Sequence, residues 1–407
     1  MFGEVHEGDV LEVLRATPDA TYHGCLTDPP YGLSFMGHGW DHGVPSAEVW
    51  REVLRVMRPG AYLLAFGGTR TFHRLTCAIE DAGFEVRDVI AWMYGSGFPK
   101  SHDVSKALDR EAGAVREVVG KRTFTGKAAQ DWREKGGDTF NAAAPSSAGC
   151  VKSAAITAPA TEAARQWAGY GTALKPAYEP ILVARKPLEG TVAANAQAHG
   201  CGGLAIDACR VEAAGRPLRL SDDRPSVVAF GDGLNGSRAA GTTDLGRWPA
   251  NVILDEEAGA ALDAQSGERR PERDILGGKR HGKRLGTLGA FDGQPCERKI
   301  IGDGGGASRF FYCAKASRAE RGEGNIHPTV KPLTLARYLA RLILPPVEGA
   351  RLVVPFCGSG SEVIGALQAG WSHVEGIDSW DVAVRIARAR IAHHIAGQQM
   401  ELAHVGT

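Results

Sequence analysis

Short apolar runs alternate with helix-periodic stretches at both ends of this chain, and that alternation constrains its fold more than any other feature. Near the N-terminus Tyr22–Thr27, Ala61–Phe66 and Glu85–Trp92 read as strands. Phe72–Asp81 lies between the last two as a helix closed by Gly83. Near the C-terminus a helix over Leu333–Leu344 stops at Pro345-Pro346, and a strand over Arg351–Val354 meets a glycine turn. A helix over Ser361–Ala369 and a strand over Val374–Ile377, ending at Asp378, follow. The spacing of the last helix predicts that Val382, Ile386 and Ala389 share one face. Strand, helix, strand in steps of this size predicts βαβ units and a mostly parallel sheet.

The middle differs. Residues 111–170, rich in Ala, Gly, Thr and Lys, read as a long insertion or mobile loop. From about 190 to 325 the chain is Gly- and Arg-rich, with brief strand-like runs such as Asn251–Leu254; a stronger one, Glu179–Arg185, precedes it. At 43% hydrophobic and 23% charged residues, wholesale disorder and a coiled coil are excluded. No run approaches the roughly 18 apolar residues of a membrane span. The N-terminus lacks a signal-peptide pattern, so a cytoplasmic protein with its eight cysteines as thiols is expected. Lys plus Arg equals Asp plus Glu at 47 each, and only local charge can indicate a partner.

Two strand-to-turn junctions carry chemistry. Asp28-Pro29-Pro30-Tyr31 follows the Tyr22–Thr27 run, at the strand edge where open α/β sheets bind ligands. A Pro-Pro pair also simply ends a strand. An exocyclic amine on a nucleobase is a poor nucleophile, because its lone pair is delocalised into the ring. The Asp28 carboxylate and the Pro29 carbonyl could accept both amine hydrogens and free that lone pair, with Tyr31 offering an aromatic face to a flipped base. The second junction is Phe356-Cys357-Gly358-Ser359-Gly360-Ser361, where glycines let backbone approach a nucleotide-like ligand. A third glycine is missing at Val363, which weakens a dinucleotide reading; Asp378, 18 residues after Gly360, stands where an acid holds ribose hydroxyls.

Asp28–Tyr31 together with Phe356–Ser361 resembles the amino-directed DNA methyltransferases that use S-adenosylmethionine. With the tetrapeptide early and the glycine turn late, the order is similar to their permuted β class. The segment His327-Pro328-Thr329-Val330-Lys331-Pro332 matches too, as do Asp28–Gly37 and Ser308–Cys313, which look like phage- and prophage-type members. The resemblance implies a Rossmann-like class I methyltransferase fold, α/β, with a permuted, mostly parallel seven-stranded sheet and an inserted target-recognition region. Residues 1–190 and 327–400 would then build the catalytic domain, and 191–326 the recognition region. Asp28, Pro29, Pro30 and Tyr31 would be catalytic. Phe356, Gly358, Ser359, Gly360, Ser361 and Asp378 would seat the cofactor, with His327, Lys331 and Pro332 closing over its methionine end. Ser361 replaces a common Thr, and Val330 a common Gln. In the family an Asp before Pro-Pro-Tyr usually marks adenine N6 and a Ser cytosine N4. Cytosine N4 methylation, or a catalytically silent DNA-binding relative, are the alternatives.

Double-stranded DNA is the implied partner, and relatives also dimerise, although no stripe here marks an interface. Arg269, Arg270, Arg273, Lys279, Arg280, Lys283 and Arg284 cluster in a Gly-rich stretch that suits phosphate contact. Trp40-Asp41 could cover a flipped base. Neither His199, Cys201 and Cys209 nor His38 and His42 complete a zinc pattern, and transfer from a sulfonium needs no metal. Pro295-Cys296 has no strand leading into it and reads as a loop thiol.

Overall fold

The computed structural model describes residues 2–33, 43–97, 99, 101–124, 152–213, 216–221, 237–268, 272–275, 298–301, 304–314 and 331–405. They form two compact units, one of residues 97–176 and one of the remainder.

The larger unit is built on nine strands: β1 (Phe2–Glu7), β2 (Tyr22–Thr27), β3 (Met57–Phe66), β4 (Glu85–Met93), β5 (Tyr178–Arg185), β6 (Val252–Asp255), β7 (Tyr312–Ala314), β8 (Arg351–Pro355) and β9 (His373–Asp378). Their order across the sheet is β1-β9-β8-β2-β3-β5-β4-β6-β7. Every neighbouring pair is parallel except the two made by β5, which runs against both β3 and β4. The mostly parallel α/β sheet is therefore as expected, but among the described residues it has nine strands rather than seven. The addition has a physical reason. Without β6 and β7, β4 would present an unpaired row of amides, and Val252–Leu254 covers it by pairing with Ala91–Met93. Both added strands come from the Gly- and Arg-rich middle of the sequence.

Consecutive residues of the central strands feed opposite core layers, which is why these runs read as continuously apolar. Leu26, Leu64, Leu352 and Val354 pack on one face, together with Leu339, Leu367 and Trp371. Cys25, Leu63 and Val353 pack on the other, with Leu14, Trp50, Leu75 and Ile79. Helices α1 (Leu333–Leu342) and α2 (Ser361–Ala369) flank β8 in the chain, and α3 (Asp381–Val405) follows β9. The buried face of α3 is Ala383, Val384, Ala387 and Ile391, not the expected one; Val382 and Ile386 are half-buried and Ala389 is exposed. One close approach bears on this. Ala387 lies against the glycine turn, where a Cβ on Gly360 would sit 3.1 Å from the Ala387 Cβ.

In the smaller unit, helix Val104–Glu111 and the antiparallel strands Val118–Phe124 and Lys152–Thr157 replace part of the loop expected over 111–170. Asp109, 1% exposed, anchors it. The carboxylate pairs with Arg116 at 2.6 Å and accepts hydrogen bonds from the Ala160 and Thr161 amides and the Thr161 hydroxyl. Burial opposes ionisation of Asp109, but these donors outweigh it and hold the carboxyl down to about 2. Among the described residues no helix is long and apolar enough to cross a membrane.

Helices α1 and α2 approach closely at Gly365, where an added Cβ would fall 2.6 Å from the Ala336 Cβ and 2.8 Å from the Ala336 and Arg337 backbones. Backbone cannot yield as a side chain does, so Gly365→Ala is expected to destabilise the larger unit by about 1–3 kcal/mol, read by denaturant or thermal unfolding.

Candidate active site

Eight strands direct their carboxyl ends to one edge of the sheet, and the reversed strand β5 begins there. That geometry brings three distant segments together. Asp28 leaves the end of β2, Glu179 opens β5, and Lys331 stands just before α1. Adjacent strands β2 and β8 are tied at the edge by the Thr27 hydroxyl, which donates to the Pro355 carbonyl at 2.6 Å. The two junctions singled out in the sequence are thus neighbours.

One ammonium serves two carboxylates. Lys331 Nζ lies 2.7 Å from Glu179 Oε2, 3.0 Å from Tyr31 Oη and 3.3 Å from Asp28 Oδ2. The Tyr31 hydroxyl has Asp28 Oδ1 at 2.8 Å and Glu179 Oε2 at 3.1 Å as acceptors. Lys331 is 7% exposed along its side chain and also faces the rings of Phe66, Tyr31 and Trp92 at 4.8, 5.4 and 6.0 Å from the centroids. Trp92 pairs across the sheet with Glu179, and its indole N–H has no partner among the described residues. Burial works against the Lys331 charge, but Asp28 and Glu179 outweigh it and hold the ammonium well above the ordinary lysine value. Burial, reinforced by Glu179, raises the Asp28 carboxyl against the opposing pull of Lys331. Burial also lifts the Tyr31 hydroxyl well above its usual value, so it remains a donor.

The glycine turn is strained and tightly held. Phe356 adopts φ +57°, a left-handed conformation unusual for a side-chain-bearing residue, and Gly358 and Gly360 follow at +48° and +80°. The Gly358 amide donates to Asp378 Oδ2 at 2.8 Å, and the Trp380 amide to Asp378 Oδ1 at 2.9 Å. From α3, Arg390 donates to the Ser359 carbonyl at 2.6 Å and to the Ser359 and Ser361 hydroxyls at 3.0 and 3.2 Å. These bonds fix a concave turn of backbone beside a carboxylate, an arrangement suited to a nucleoside.

The structure therefore brings Asp28, Tyr31 and Lys331 into one cluster, sets Pro29, Pro30 and Pro332 in the same two loops, and joins Phe356–Ser361 to Asp378. His327 lies outside the described residues, as do Arg269, Arg270, Lys279, Arg280, Lys283, Arg284, Trp40, His38, His42 and Cys296. Of Arg273 only the strand backbone is described. His199 Nε2 contacts Glu189 at 2.8 Å, and no group of three metal-ligating side chains occurs among the described residues. Sequence reasoning missed Glu179, Arg390 and Glu362. Glu179 looks like an ordinary residue opening a strand, and Glu362 like an acid placed to suit a helix N-terminus.

Glu362 is 4% exposed, and burial together with the Asp28 charge pushes its carboxyl up to about 7. A carboxyl whose folded value exceeds its unfolded one binds more protons when folded, so its destabilisation grows as pH rises from about 4.5 through about 7. Glu362→Gln is accordingly expected to be more stable than the wild type at pH 8, by roughly 1–3 kcal/mol, and to lose that advantage by pH 5. Unfolding curves at the two pH values measure it.

Among solved structures, M1.HpyAVI in its S-adenosylmethionine complex is 11% identical, covering 96% of this chain and 100% of that one with a TM-score of 0.38. TTHA0409 of Thermus thermophilus is 14% identical, covering 97% of each chain, with a TM-score of 0.40. The cytosine-N4-specific PvuII DNA methyltransferase is 12% identical, covering 96% of this chain and 86% of that one, with a TM-score of 0.41. No curated protein sequence matches. The DNA methylase family model for N6 and N4 enzymes matches residues 22–388, from the first residue of β2 into α3, and this chain belongs to that family.

Proposed function

We propose that this protein is a DNA methyltransferase that transfers a methyl group from S-adenosylmethionine to the exocyclic N6 of an adenine flipped out of double-stranded DNA. The observation that carries this reading is the junction of two sites at one strand edge. A carboxylate beside Pro-Pro-Tyr lies one strand away from a glycine turn clamped to a second carboxylate.

The residues present fit the cofactor. The left-handed turn at Phe356, Gly358 and Gly360 holds its backbone beside Asp378, whose oxygens are acceptors suited to a ribose diol, and two carboxylates against one ammonium favour a cation. When bound, S-adenosylmethionine supplies a methyl group made electrophilic by its sulfonium. Asp28 and the Pro29 carbonyl accept the two amine hydrogens, which localises the nitrogen lone pair. Asp28 is also the carboxylate placed to take the proton that the nitrogen gives up. Tyr31 carries an aromatic face for the base, and its hydroxyl holds Asp28 in place. Phe356, Ser359 and Ser361 would complete the cofactor turn, and Lys331 and Pro332 would lie toward its methionine end. No covalent enzyme intermediate is needed, so orientation and electrostatics account for most of the rate.

Adenine is favoured by Asp at the head of the tetrapeptide. Incubating the protein with labelled S-adenosylmethionine and unmethylated DNA, then separating the nucleosides, is expected to yield N6-methyladenine; N4-methylcytosine would overturn the base assignment. Asp28→Ala should lower turnover by about 10²–10³-fold or more while cofactor affinity stays within a few-fold. Full activity in that variant would sink the mechanism.

Residues 191–326, apart from the strands β6 and β7 that they lend to the sheet, are proposed as the recognition region, with the basic run 269–284 on the DNA backbone. Replacing Lys279, Arg280, Lys283 and Arg284 together by Ala is expected to raise the KM for DNA, flatten its salt dependence, and leave cofactor affinity unchanged. An unchanged salt slope would remove that run from the interface.

A further inference from the structure

Glu179 lies in the site but in neither motif. We propose that it is a positioning residue for methyl transfer, whose carboxylate takes the larger share of the Lys331 ammonium so that Asp28 Oδ2 is left able to accept a hydrogen of the target amine. This inference rests on the reading of Asp28 given above and extends it to a residue on a different strand.

The geometry carries it. Two carboxylates compete for one ammonium and one hydroxyl. Glu179 Oε2 holds the ammonium at 2.7 Å, against 3.3 Å for Asp28 Oδ2. A carboxylate in direct contact with an ammonium has a lone pair committed and its charge largely neutralised, so it accepts poorly from a weak donor such as an aromatic amine. With Glu179 in place the ammonium lies closer to Glu179 than to Asp28, so Asp28 Oδ2 is less committed than it would be as the sole counter-ion, while Asp28 Oδ1 accepts from the Tyr31 hydroxyl at 2.8 Å. Without it, the only carboxylate left within 4 Å of Lys331 among the described residues is Asp28.

The position of Glu179 has a structural cause. Strand β5 is the only one running against its neighbours in the sheet, so its second residue reaches the catalytic edge where the other strands present their last. The register sets Glu179 opposite Trp92, whose ring forms one wall around the ammonium. A buried ammonium facing aromatic rings and two acids is expensive to reorganise, which keeps the cluster in this one arrangement.

Besides Lys331 and Tyr31, the charged or titratable groups around Asp28 are Glu179 of β5 and Glu362 of α2; Tyr94 after β4 faces Glu179 and Lys331. Removing the Glu179 charge takes away one influence that raises the Asp28 carboxyl and leaves the lowering influence of Lys331 in place. The acid limb of the kcat profile, which requires ionised Asp28, should then move to lower pH even as the plateau falls.

The test is Glu179→Gln compared with wild type and with Glu179→Asp, all assayed on DNA at saturating cofactor, with cofactor affinity measured by calorimetry. For Glu179→Gln we expect a kcat lower by roughly 10–100-fold, an acid limb displaced downward, and a cofactor Kd within about fivefold of wild type. Glu179→Asp keeps the charge and should restore much of kcat with the limb in its original place. A crystal structure of Glu179→Gln should find Lys331 Nζ closed onto Asp28. A kcat within twofold of wild type, a loss of kcat with the limb unmoved or raised, or a Lys331 Nζ that comes no closer to Asp28 than in the wild type would each overturn the proposal. Should Glu179→Gln fail to bind cofactor, Glu179→Asp decides by the same profile, since a merely structural carboxylate would give a loss with no rescue of kcat. Wild-type protein that methylates no DNA amine would instead defeat the underlying functional reading, independently of any variant.

Discussion

A single buried ammonium holds the catalytic edge together. Lys331 comes from the segment entering α1, Asp28 from the end of β2, and Glu179 from the start of β5, so the cluster closes two loops of more than a hundred residues each. Partly desolvated charges tolerate little displacement, because each ångström lost between them uncovers charge that water cannot reach. The strands that deliver these groups are packed on both faces and have little freedom to shift. Rigid delivery and intolerant chemistry reinforce one another here.

The second junction is organised by hydrogen bonds to backbone. Its turn is strained at Phe356, and the strain is held by the Asp378 carboxylate below and the Arg390 guanidinium beside it. Asp378 therefore has a structural task as well as the proposed ligand-binding one: its oxygens already accept two backbone amides, which fixes their direction. Glu362, the second residue of α2, has its carboxyl pushed up to about 7 by burial and by the Asp28 charge. The edge is thus graded from a buried acid–ammonium cluster to a pre-shaped backbone turn.

Much of this was legible in the sequence wherever chemistry and local periodicity coincide. The strands Tyr22–Thr27 and Glu85–Met93 and the helices Phe72–Asp81 and Ser361–Ala369 follow from apolar runs and their glycine or proline stops, because strand and helix periods depend only on neighbours. The buried face of α3 did not follow. Periodicity alone favoured Val382 and Ile386, but α3 turns Ala383, Val384, Ala387 and Ile391 inward, with Ala387 packed close against the turn at Gly360. Nor did β6 and β7, short strands in Gly- and Arg-rich chain, whose pairing depends on the open edge of β4.

The sequence by itself determined the alternating architecture, the Asp-Pro-Pro-Tyr and Gly-x-Gly junctions, and the acid ending β9, since each is written in consecutive residues. Tertiary structure alone decided that Lys331 meets Asp28, that Glu179 competes for it, and that Arg390 clamps the glycine turn. Those partners lie from about thirty to about three hundred residues apart. Their meeting depends on strand order and on the reversed direction of β5, and both are properties of the assembled sheet.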